Sequence, residues 1–273
     1  MPEVTANGVS LHYTDSGGDG RPVVLIHGWP LSGESWSQQV PALTQAGYRV
    51  ITYDRRGFGE SAKPVDGYDY DTFAADLAGL LDGLDLTDAS LVGFSMGGGE
   101  IARYVGRHGA ERLHSVVFAA AVPPYLLKSD DNPEGGLEES GVQEMEQGAS
   151  TDRANFLDGF TTGFFTAGDD LKVTEEQRQQ AIAMQQPARD DALVGCIGAF
   201  GRTDFCDDLT KIDVPTLVIH GDSDAIVPFE VSGKRTAETI PDSTLVVIQD
   251  APHGFNVSHQ DEFNSALLDF LAH

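Results

Sequence analysis

The sequence predicts an α/β fold with a mostly parallel central sheet. Short apolar segments alternate with amphipathic segments of helical periodicity, which is typical of strands covered by helices on both faces. The apolar segments end in clusters of glycine, proline and aspartate, which indicate tight turns. The chain has 273 residues, a length that suits one such sheet with an insertion.

The predicted elements up to residue 124 follow this alternation after a short N-terminal hairpin. In chain order we predict a hairpin over 3–13, a strand over 21–27, a helix over 36–45, a strand over 49–54, a helix over 72–84, a strand over 89–92, a helix after residue 97 and a strand over 113–120.

The alternation breaks between residues 125 and 204. This segment opens as a loop rich in acidic residues and glycine, and it continues as helices predicted over 142–147, 153–165, 175–184 and 189–200. The later predicted elements are strands over 214–219 and 244–248 and a last helix over 261–271. We therefore expect a core domain of residues 1–124 and 205–273 with a helical cap of residues 125–204, and such a cap can exclude water from a pocket.

A strand-to-helix turn is the most informative part of the chain. Residues 93–97 read Gly-Phe-Ser-Met-Gly and lie between a predicted strand and a predicted helix. A serine between glycines at such a turn is a nucleophile elbow, in which the tight bend exposes the Ser95 hydroxyl. The helix N-terminus directs free N–H groups at incoming negative charge.

A candidate acid and a candidate base follow later in the chain. Residues 220–224 read His-Gly-Asp-Ser-Asp and leave one predicted strand, while His253 follows the next strand. The order Ser95, Asp224, His253 is that of the α/β-hydrolases. A serine hydroxyl needs an adjacent imidazole to take its proton, and that imidazole needs a carboxylate to fix its tautomer.

Two alternatives remain open for these partners. Asp222 is a rival acid, although its place in the tight turn after the strand favours a structural role. His259 is a rival base, although it begins the last predicted helix, whereas His253 lies in a strand-end loop, where catalytic groups of open α/β sheets lie. His27 and His220 end strands, and we expect them to hydrogen-bond loop backbone.

The predicted oxyanion hole involves a second loop. Residues 27–30 read His-Gly-Trp-Pro and follow a predicted core strand. In this fold one N–H comes from the residue after the nucleophile and one from this loop, which here means Met96 and Trp29. We expect the Trp29 ring to form a wall of the acyl pocket and Pro30, which has no N–H, to restrict the loop. A plain loop with a packed ring is the alternative.

Four segments together resemble the cofactor-free (non-haem) bacterial haloperoxidases and their aryl esterase relatives: residues 27–30, 53–61, 93–100 and 220–224. The resemblance is weak between residues 125 and 200. It implies that small esters acylate Ser95 without a cofactor. It also implies that hydrogen peroxide can replace water in deacylation, giving a peracid that oxidises halide. A serine at the elbow argues against the related haloalkane dehalogenases and epoxide hydrolases, which use an aspartate there.

The predicted function is therefore a serine hydrolase of small carboxylic esters with perhydrolase activity. Phe156, Phe160, Phe164 and Phe165 lie at helical spacing and are expected to face either the active site or the core of the cap, and core packing is the role that we favour for most of them. Two other functions remain open, a hydrolase that acts on a lactone or a carbon–carbon bond and a non-catalytic ligand receptor. We expect the substrate pocket to be lined by Trp29, Pro30, Phe94, Phe160 and Phe164.

The charge of the chain restricts its partners. The sequence has 43 acidic and 17 basic residues, a formal net charge of −26, and it contains no basic patch, which argues against nucleic acid and anionic membranes. The acidic residues are spread along the chain, which predicts a folded acidic surface rather than a disordered tail. Salt screens such a surface, so we expect a halophilic protein from a salt-rich cytoplasm. An ordinary acidic bacterial protein is the alternative.

The remaining composition favours a cytoplasmic enzyme. No run of eighteen apolar residues occurs, so we expect no membrane-spanning helix. The first residues lack the basic and apolar regions of a signal peptide. Cys196 and Cys206 lie near no metal-ligand motif, which suits a reducing compartment and predicts no metal site. A small-molecule ester is the expected partner, and homo-oligomerisation is left open.

Overall fold

An eight-stranded sheet forms the centre of the protein. The computed structural model describes residues 2–273. The strands are β1 (Glu3–Ala6), β2 (Val9–Asp15), β3 (Pro22–Ile26), β4 (Arg49–Tyr53), β5 (Ala89–Phe94), β6 (Leu113–Ala119), β7 (Thr166–Ala167), β8 (Asp170–Leu171), β9 (Thr216–Gly221) and β10 (Thr244–Ile248).

The large sheet has the strand order β1-β2-β4-β3-β5-β6-β9-β10. β2 pairs antiparallel with β1 and with β4, whereas all the other neighbours in this sheet pair in parallel. The predicted α/β fold with a mostly parallel sheet is therefore confirmed. Because parallel strands end at the same edge of a sheet, the loops after β3, β5, β9 and β10 come together there.

Helices cover both faces of the sheet. Alternate side chains of a strand point to opposite faces: Val24 and Ile26 join an apolar core with α2 and α3, while Val23 and Leu25 join a second core with α1 and α11. The helices are α1 (Val40–Gln45), α2 (Tyr70–Gly83), α3 (Met96–His108), α4 (Glu139–Thr151), α5 (Arg153–Phe164), α6 (Glu175–Gln185), α7 (Asp190–Arg202), α8 (Cys206–Leu209), α9 (Gly233–Thr239), α10 (Phe255–Ser258) and α11 (Gln260–Leu271).

Three local features differ from the sequence prediction. The helix predicted over 36–45 divides into a 3-10 turn, Gly33–Trp36, and α1, because Ser32 caps the turn and a proline occupies the start of α1. The helix predicted over 142–147 extends over the whole of α4, whose mostly polar exposed residues have no apolar periodicity to mark its ends. The β7–β8 hairpin, α8, α9 and α10 were not predicted, since each is short.

The segment between β6 and β9 contains α4 to α7 and the β7–β8 hairpin. As described, it adds no strand to the large sheet. α4 packs against α5 and α7, and α6 packs against α5 and the 3-10 turn of residues 33–36. Within residues 2–273, no helix is both long and apolar enough to cross a membrane.

Ion pairs neutralise most of the basic side chains. Every arginine pairs with a carboxylate, as do Lys128, Lys172 and Lys234. Acidic residues outnumber basic ones by 43 to 17, so many carboxylates have no basic partner. The surplus negative charge therefore repels itself across the surface of the fold.

We expect the melting temperature to rise by several degrees between low salt and molar KCl, because salt screens this repulsion. Thermal denaturation in a chloride series at matched ionic strength measures the effect. NaCl and KCl should act alike, since screening does not distinguish the cations, and sulfate serves as a control for salt effects on apolar burial. A melting temperature that stays constant across the chloride series would contradict the interpretation of the acidic surface as a salt adaptation.

Candidate active site

Ser95 lies in the turn between β5 and α3, at the carboxyl edge of the parallel strands. Its φ of 53° and ψ of −117° form a strained conformation that is typical of a nucleophile elbow. A Cβ on Gly97 would lie 2.5 Å from Ile26 O, and one on Gly93 would lie 2.5 Å from Gly97 O. The close packing of this turn therefore requires glycine on both sides of the serine.

Two other loops bring His253 and Asp224 to Ser95. His253 Nε2 lies 2.9 Å from Ser95 Oγ, and His253 Nδ1 lies 2.6 Å from Asp224 Oδ2. Both side chains are buried, so water competes little for these hydrogen bonds. The geometry allows His253 Nε2 to accept the Ser95 proton while Nδ1–H donates to Asp224.

Donors on both oxygens fix the Asp224 carboxylate. Oδ1 accepts the backbone N–H of Ile226 at 2.9 Å and of Val227 at 2.8 Å. Burial acts to raise the pKa of Asp224, but the charge of His253 and the hydrogen bonds from His220 and His253 outweigh it, so this pKa lies well below its usual value. Asp224 is therefore ionised at neutral pH.

Asp222 and His259, the rival acid and base, lie elsewhere. Asp222 is exposed, and its Oδ1 accepts the backbone N–H of Asp250 at 2.7 Å. His259 precedes α11, and its Nδ1 lies 2.9 Å from Ser258 Oγ. The hydrogen-bonded neighbour of Ser95 Oγ is His253. Asp222 is thus placed as a turn residue, and His259 is placed at the start of a helix.

The loop of residues 27–30 packs directly on the elbow. A Cβ on Gly28 would lie 3.1 Å from Ser95 Cβ and 2.8 Å from a ring carbon of Phe94, so glycine permits this contact. Among the hydrogen bonds of residues 2–273, none involves the backbone N–H of Trp29 or Met96. Met96 is the first residue of α3, where N–H groups have no partner within the helix.

A buried ion pair joins this loop to α3. Arg55 Nε donates to Glu100 Oε2 at 2.8 Å, Arg55 Nη2 donates to His27 O at 2.9 Å, and the Arg55 backbone N–H donates to His27 Nε2 at 2.9 Å. The Tyr53 hydroxyl also donates to Glu100. Burial, and next the charge of Arg55, hold the pKa of His27 well below its usual value, so its Nε2 can accept. The network fixes the loop relative to the elbow.

An apolar cavity of about 280 Å³ opens beside Ser95. The Trp29 ring forms part of its wall, donates through Nε1 to Leu193 O at 3.2 Å, and packs against Phe160 and Phe200. The walls come mainly from the segment between β6 and β9 and from the loop after Asp224. Besides Ser95 and Trp29, the lining residues are Val122, Leu126, Gly136, Leu137, Met145, Phe160, Phe200, Ala225, Ile226, Val227 and Pro228.

Only two of the five predicted pocket residues, Trp29 and Phe160, are among the residues that line this cavity. The rings of Phe94 and Phe164 instead pack against the His253 ring, with centroids 5.2 and 5.0 Å from it. Phe94 is the last residue of β5, and its side chain belongs to the second apolar core. It therefore packs against His253 from that side of the sheet. Pro30 is buried within its loop and lies outside the cavity wall.

One known protein family matches most of the chain. The alpha/beta hydrolase fold family matches residues 21–260. The chain belongs to this family. The protein therefore has the α/β-hydrolase fold.

Individual proteins with similar sequences or structures indicate the group within this family to which the chain belongs. A non-heme chloroperoxidase of Kitasatospora aureofaciens is 47% identical over 98% of both chains. A bifunctional esterase/perhydrolase of Acinetobacter calcoaceticus is 35% identical over 98% of both chains. The crystal structure of a bromoperoxidase from Bacillus anthracis superposes with a TM-score of 0.97 at 54% identity, covering 100% of this chain and 99% of that one. The chain is therefore an enzyme of the haloperoxidase-like group, which confirms the resemblance stated from the sequence motifs.

Most of the cavity wall of this α/β hydrolase was not identified from its sequence. Residues 225–228, Ala-Ile-Val-Pro, directly follow Asp224, and an apolar run next to a predicted acid was a signal that pointed to them. Leu126, Leu137 and Met145 lie in the segment where the family resemblance is weak, and no periodicity marks them. Within residues 2–273, no group of three or more His, Cys, Asp or Glu side chains could hold a metal ion.

Proposed function

We propose that this α/β hydrolase is a serine carboxylesterase that forms an acyl-enzyme on Ser95. One observation supports the proposal most directly. A continuous chain of hydrogen bonds runs from Asp224 through His253 to Ser95 Oγ, and Ser95 lines an apolar cavity. The similarity to a bifunctional esterase/perhydrolase over nearly the whole chain supports it.

In the acylation step, Ser95 Oγ attacks the ester carbonyl carbon and His253 Nε2 takes the serine proton. Asp224 holds the His253 ring and stabilises its cationic form. The N–H groups of Trp29 and Met96 donate to the oxyanion of the tetrahedral intermediate. His253 then gives its proton to the leaving alcohol, and the acyl group stays on Ser95.

Deacylation repeats these steps with water. His253 Nε2 takes a proton from the water, whose oxygen attacks the acyl carbon, and the proton then returns to Ser95 Oγ as the acid leaves. Hydrogen peroxide can replace water in this step and releases a peracid. The halide attacks the outer peracid oxygen, the O–O bond breaks, and the products are hypohalous acid and the carboxylate. The similarity to non-heme chloroperoxidases supports this second activity.

The cavity suits small, uncharged substrates. Its lining residues carry no charged side chain, so an acyl or alcohol group buried there must be apolar to avoid a desolvation cost. We propose that residues 125–204 act as a cap, because Leu126, Leu137 and Met145 of this segment line the cavity beside Ser95.

The protein is expected to hydrolyse p-nitrophenyl acetate and, with acetate and hydrogen peroxide, to form peracetic acid without any added metal. Release of p-nitrophenol and bromination of monochlorodimedone measure the two reactions. Both should be lost in Ser95→Ala, since both pass through the same acyl-enzyme, and both should survive a chelator.

Two outcomes would contradict parts of this proposal. Bromination that survives Ser95→Ala, or that is lost with a chelator, would show that the oxidation does not pass through Ser95. Hydrolysis of a lactone or a carbon–carbon bond with no activity on any ester of a chain-length series would overturn the esterase assignment, although the proposed roles of the three residues would remain.

A further inference from the structure

His220 is a fully buried histidine that the proposed steps do not use. It belongs to β9, and its Nε2 lies 2.8 Å from Val227 O and 3.3 Å from Asp224 Oδ2. A carbonyl oxygen only accepts hydrogen bonds. Nε2 must therefore carry a hydrogen, and that hydrogen also faces the Asp224 carboxylate.

The other ring nitrogen of His220 has no acceptor. Its Nδ1 is buried and makes no hydrogen bond within the described residues. A Cβ on Gly233 would lie 2.5 Å from this nitrogen, so the backbone of α9 closes the space beside it. A proton on Nδ1 would be a buried donor without a partner, which is costly. The surroundings therefore favour a neutral ring with its hydrogen on Nε2.

His220 completes the donor set around Asp224. The two backbone N–H groups of Ile226 and Val227 bind Oδ1, while Oδ2 faces the imidazole donors of His253 and His220. Val227 takes part twice, because its N–H donates to Asp224 and its carbonyl oxygen accepts from His220. The hydrogen bond from His220 is one of the causes that lower the pKa of Asp224.

We propose that His220 is a positioning residue that sets the direction and strength of the hydrogen bond between Asp224 and His253. The proposal rests on the proposed roles of Asp224 and His253 in ester hydrolysis. From 3.3 Å, the positive end of the His220 N–H dipole draws negative charge from Oδ2, the oxygen that His253 uses. By donating to Val227 O, His220 also holds the loop that fixes Oδ1.

The sign of the effect on pH follows from this competition for Oδ2. A carboxylate that has lost one donor presents more negative charge to its remaining partner, so it stabilises the cationic form of His253 more strongly. The enzyme then becomes inactive by protonation at a higher pH. Removing the His220 donor should therefore move the acid limb of the pH profile of kcat/KM upward.

The other charged groups near His220, Asp224 and His253 bind partners outside these three residues. On α9, Lys234 pairs with the exposed Glu230 of the preceding turn, and Arg235 donates to Asn132 Oδ1. The neighbouring Asp222 is bonded to the backbone of the loop before His253.

Aromatic rings cover the two imidazoles. Phe94 and Phe164 pack against His253, and Phe229 packs against His220. The titratable groups in contact with Asp224 are thus the two histidines.

The test compares His220→Phe, which keeps a ring against Phe229 but has no donor, with His220→Gln, which can place an amide N–H near the position of Nε2. In His220→Phe we expect kcat to fall roughly tenfold, because the Asp224 carboxylate and the loop at Val227 lose the donor that positions them. We expect the acid-limb midpoint to rise by at least about half a pH unit. His220→Gln should keep kcat within about threefold and the wild-type midpoint.

A second readout needs no activity. In the Ser95→Ala background, the proton shared by His253 Nδ1 and Asp224 Oδ2 gives a downfield proton NMR resonance, and His220→Phe should shift it. His220→Asn, whose shorter amide does not reach Oδ2, should behave like the Phe variant and carries the test if His220→Phe does not fold.

A matched control separates this role from general stability. Thr236 lies in α9, the helix whose Gly233 packs against His220. Thr236→Val removes a different buried hydrogen bond, from the Thr236 hydroxyl to Pro123 O at 2.8 Å. It should lower the melting temperature without moving the acid limb.

Two results for His220 would overturn the proposal. The first is that the acid limb of the pH profile and the NMR resonance stay unchanged in His220→Phe and His220→Asn. The second is that His220→Gln shifts the acid limb as much as His220→Phe does. Absence of Ser95-dependent ester hydrolysis in the wild type would instead overturn the proposed function.

Discussion

Ser95→Ala is expected to lower kcat for p-nitrophenyl acetate by about 10⁴-fold or more, because the variant has no nucleophile to form the acyl-enzyme. The fold should be retained. Alanine keeps the Cβ that the elbow already accommodates at this φ, and it removes a single hydrogen bond, to His253 Nε2. Steady-state kinetics and thermal denaturation measure the two effects, and KM should change little.

Ser90→Ala is the matched control for this variant. Ser90 lies in β5, the strand that leads to Ser95, it is also buried, and its Oγ is 2.8 Å from Ser115 Oγ. Its loss should cost about 1 kcal/mol of unfolding free energy and leave kcat near the wild-type value. A Ser95→Ala enzyme that retains kcat within tenfold of wild type would overturn the assignment of the nucleophile.

Asp224→Asn is expected to lower kcat by about 10³- to 10⁴-fold, as in other serine hydrolases that lose the orienting carboxylate. All the groups that face the two Asp224 oxygens are donors. An amide must turn its own NH₂ toward some of them, so it either repels the loop N–H groups or forces His253 into the wrong tautomer. Steady-state kinetics at neutral pH, where Asp224 of the wild type is ionised, measure the loss.

Asp222→Asn distinguishes the two candidate acids. The Asp222 side chain accepts the Asp250 N–H through Oδ1, and an amide oxygen can replace that acceptor. This variant should keep kcat within about tenfold of wild type, since surface turn substitutions have small effects. A folded Asp222→Asn enzyme with no activity, next to an active Asp224→Asn enzyme, would show that the acid is Asp222.

Local chemistry explains why the elbow could be predicted from the sequence. A strand, a serine between glycines and a helix lie within a few residues of one another, and the close contacts at Gly93 and Gly97 show that the turn leaves no room for a side chain there. The sheet could also be predicted from local sequence, because strands that are buried on both faces are continuous apolar runs.

The pocket could not be predicted in the same way. Helical periodicity places Phe160 and Phe164 on one side of α5, yet Phe160 lines the cavity while Phe164 packs against His253. One turn of helix therefore separates a cavity wall from a support for the imidazole. Which of the two a phenylalanine becomes depends on how α5 sits over the sheet, and contacts between distant segments determine that position.

By itself, the sequence determined the α/β architecture, the family and the residues proposed for chemistry, because each depends on short segments whose backbone requirements are local. Only the tertiary structure decided which side chains surround them. The Arg55–Glu100 pair that joins the loop of residues 27–30 to α3, the cavity beside Ser95 and the contact of His220 with Asp224 all connect different segments of the fold. Packing and hydrogen bonding act across space, so these neighbours exist only once the sheet and its loops have assembled.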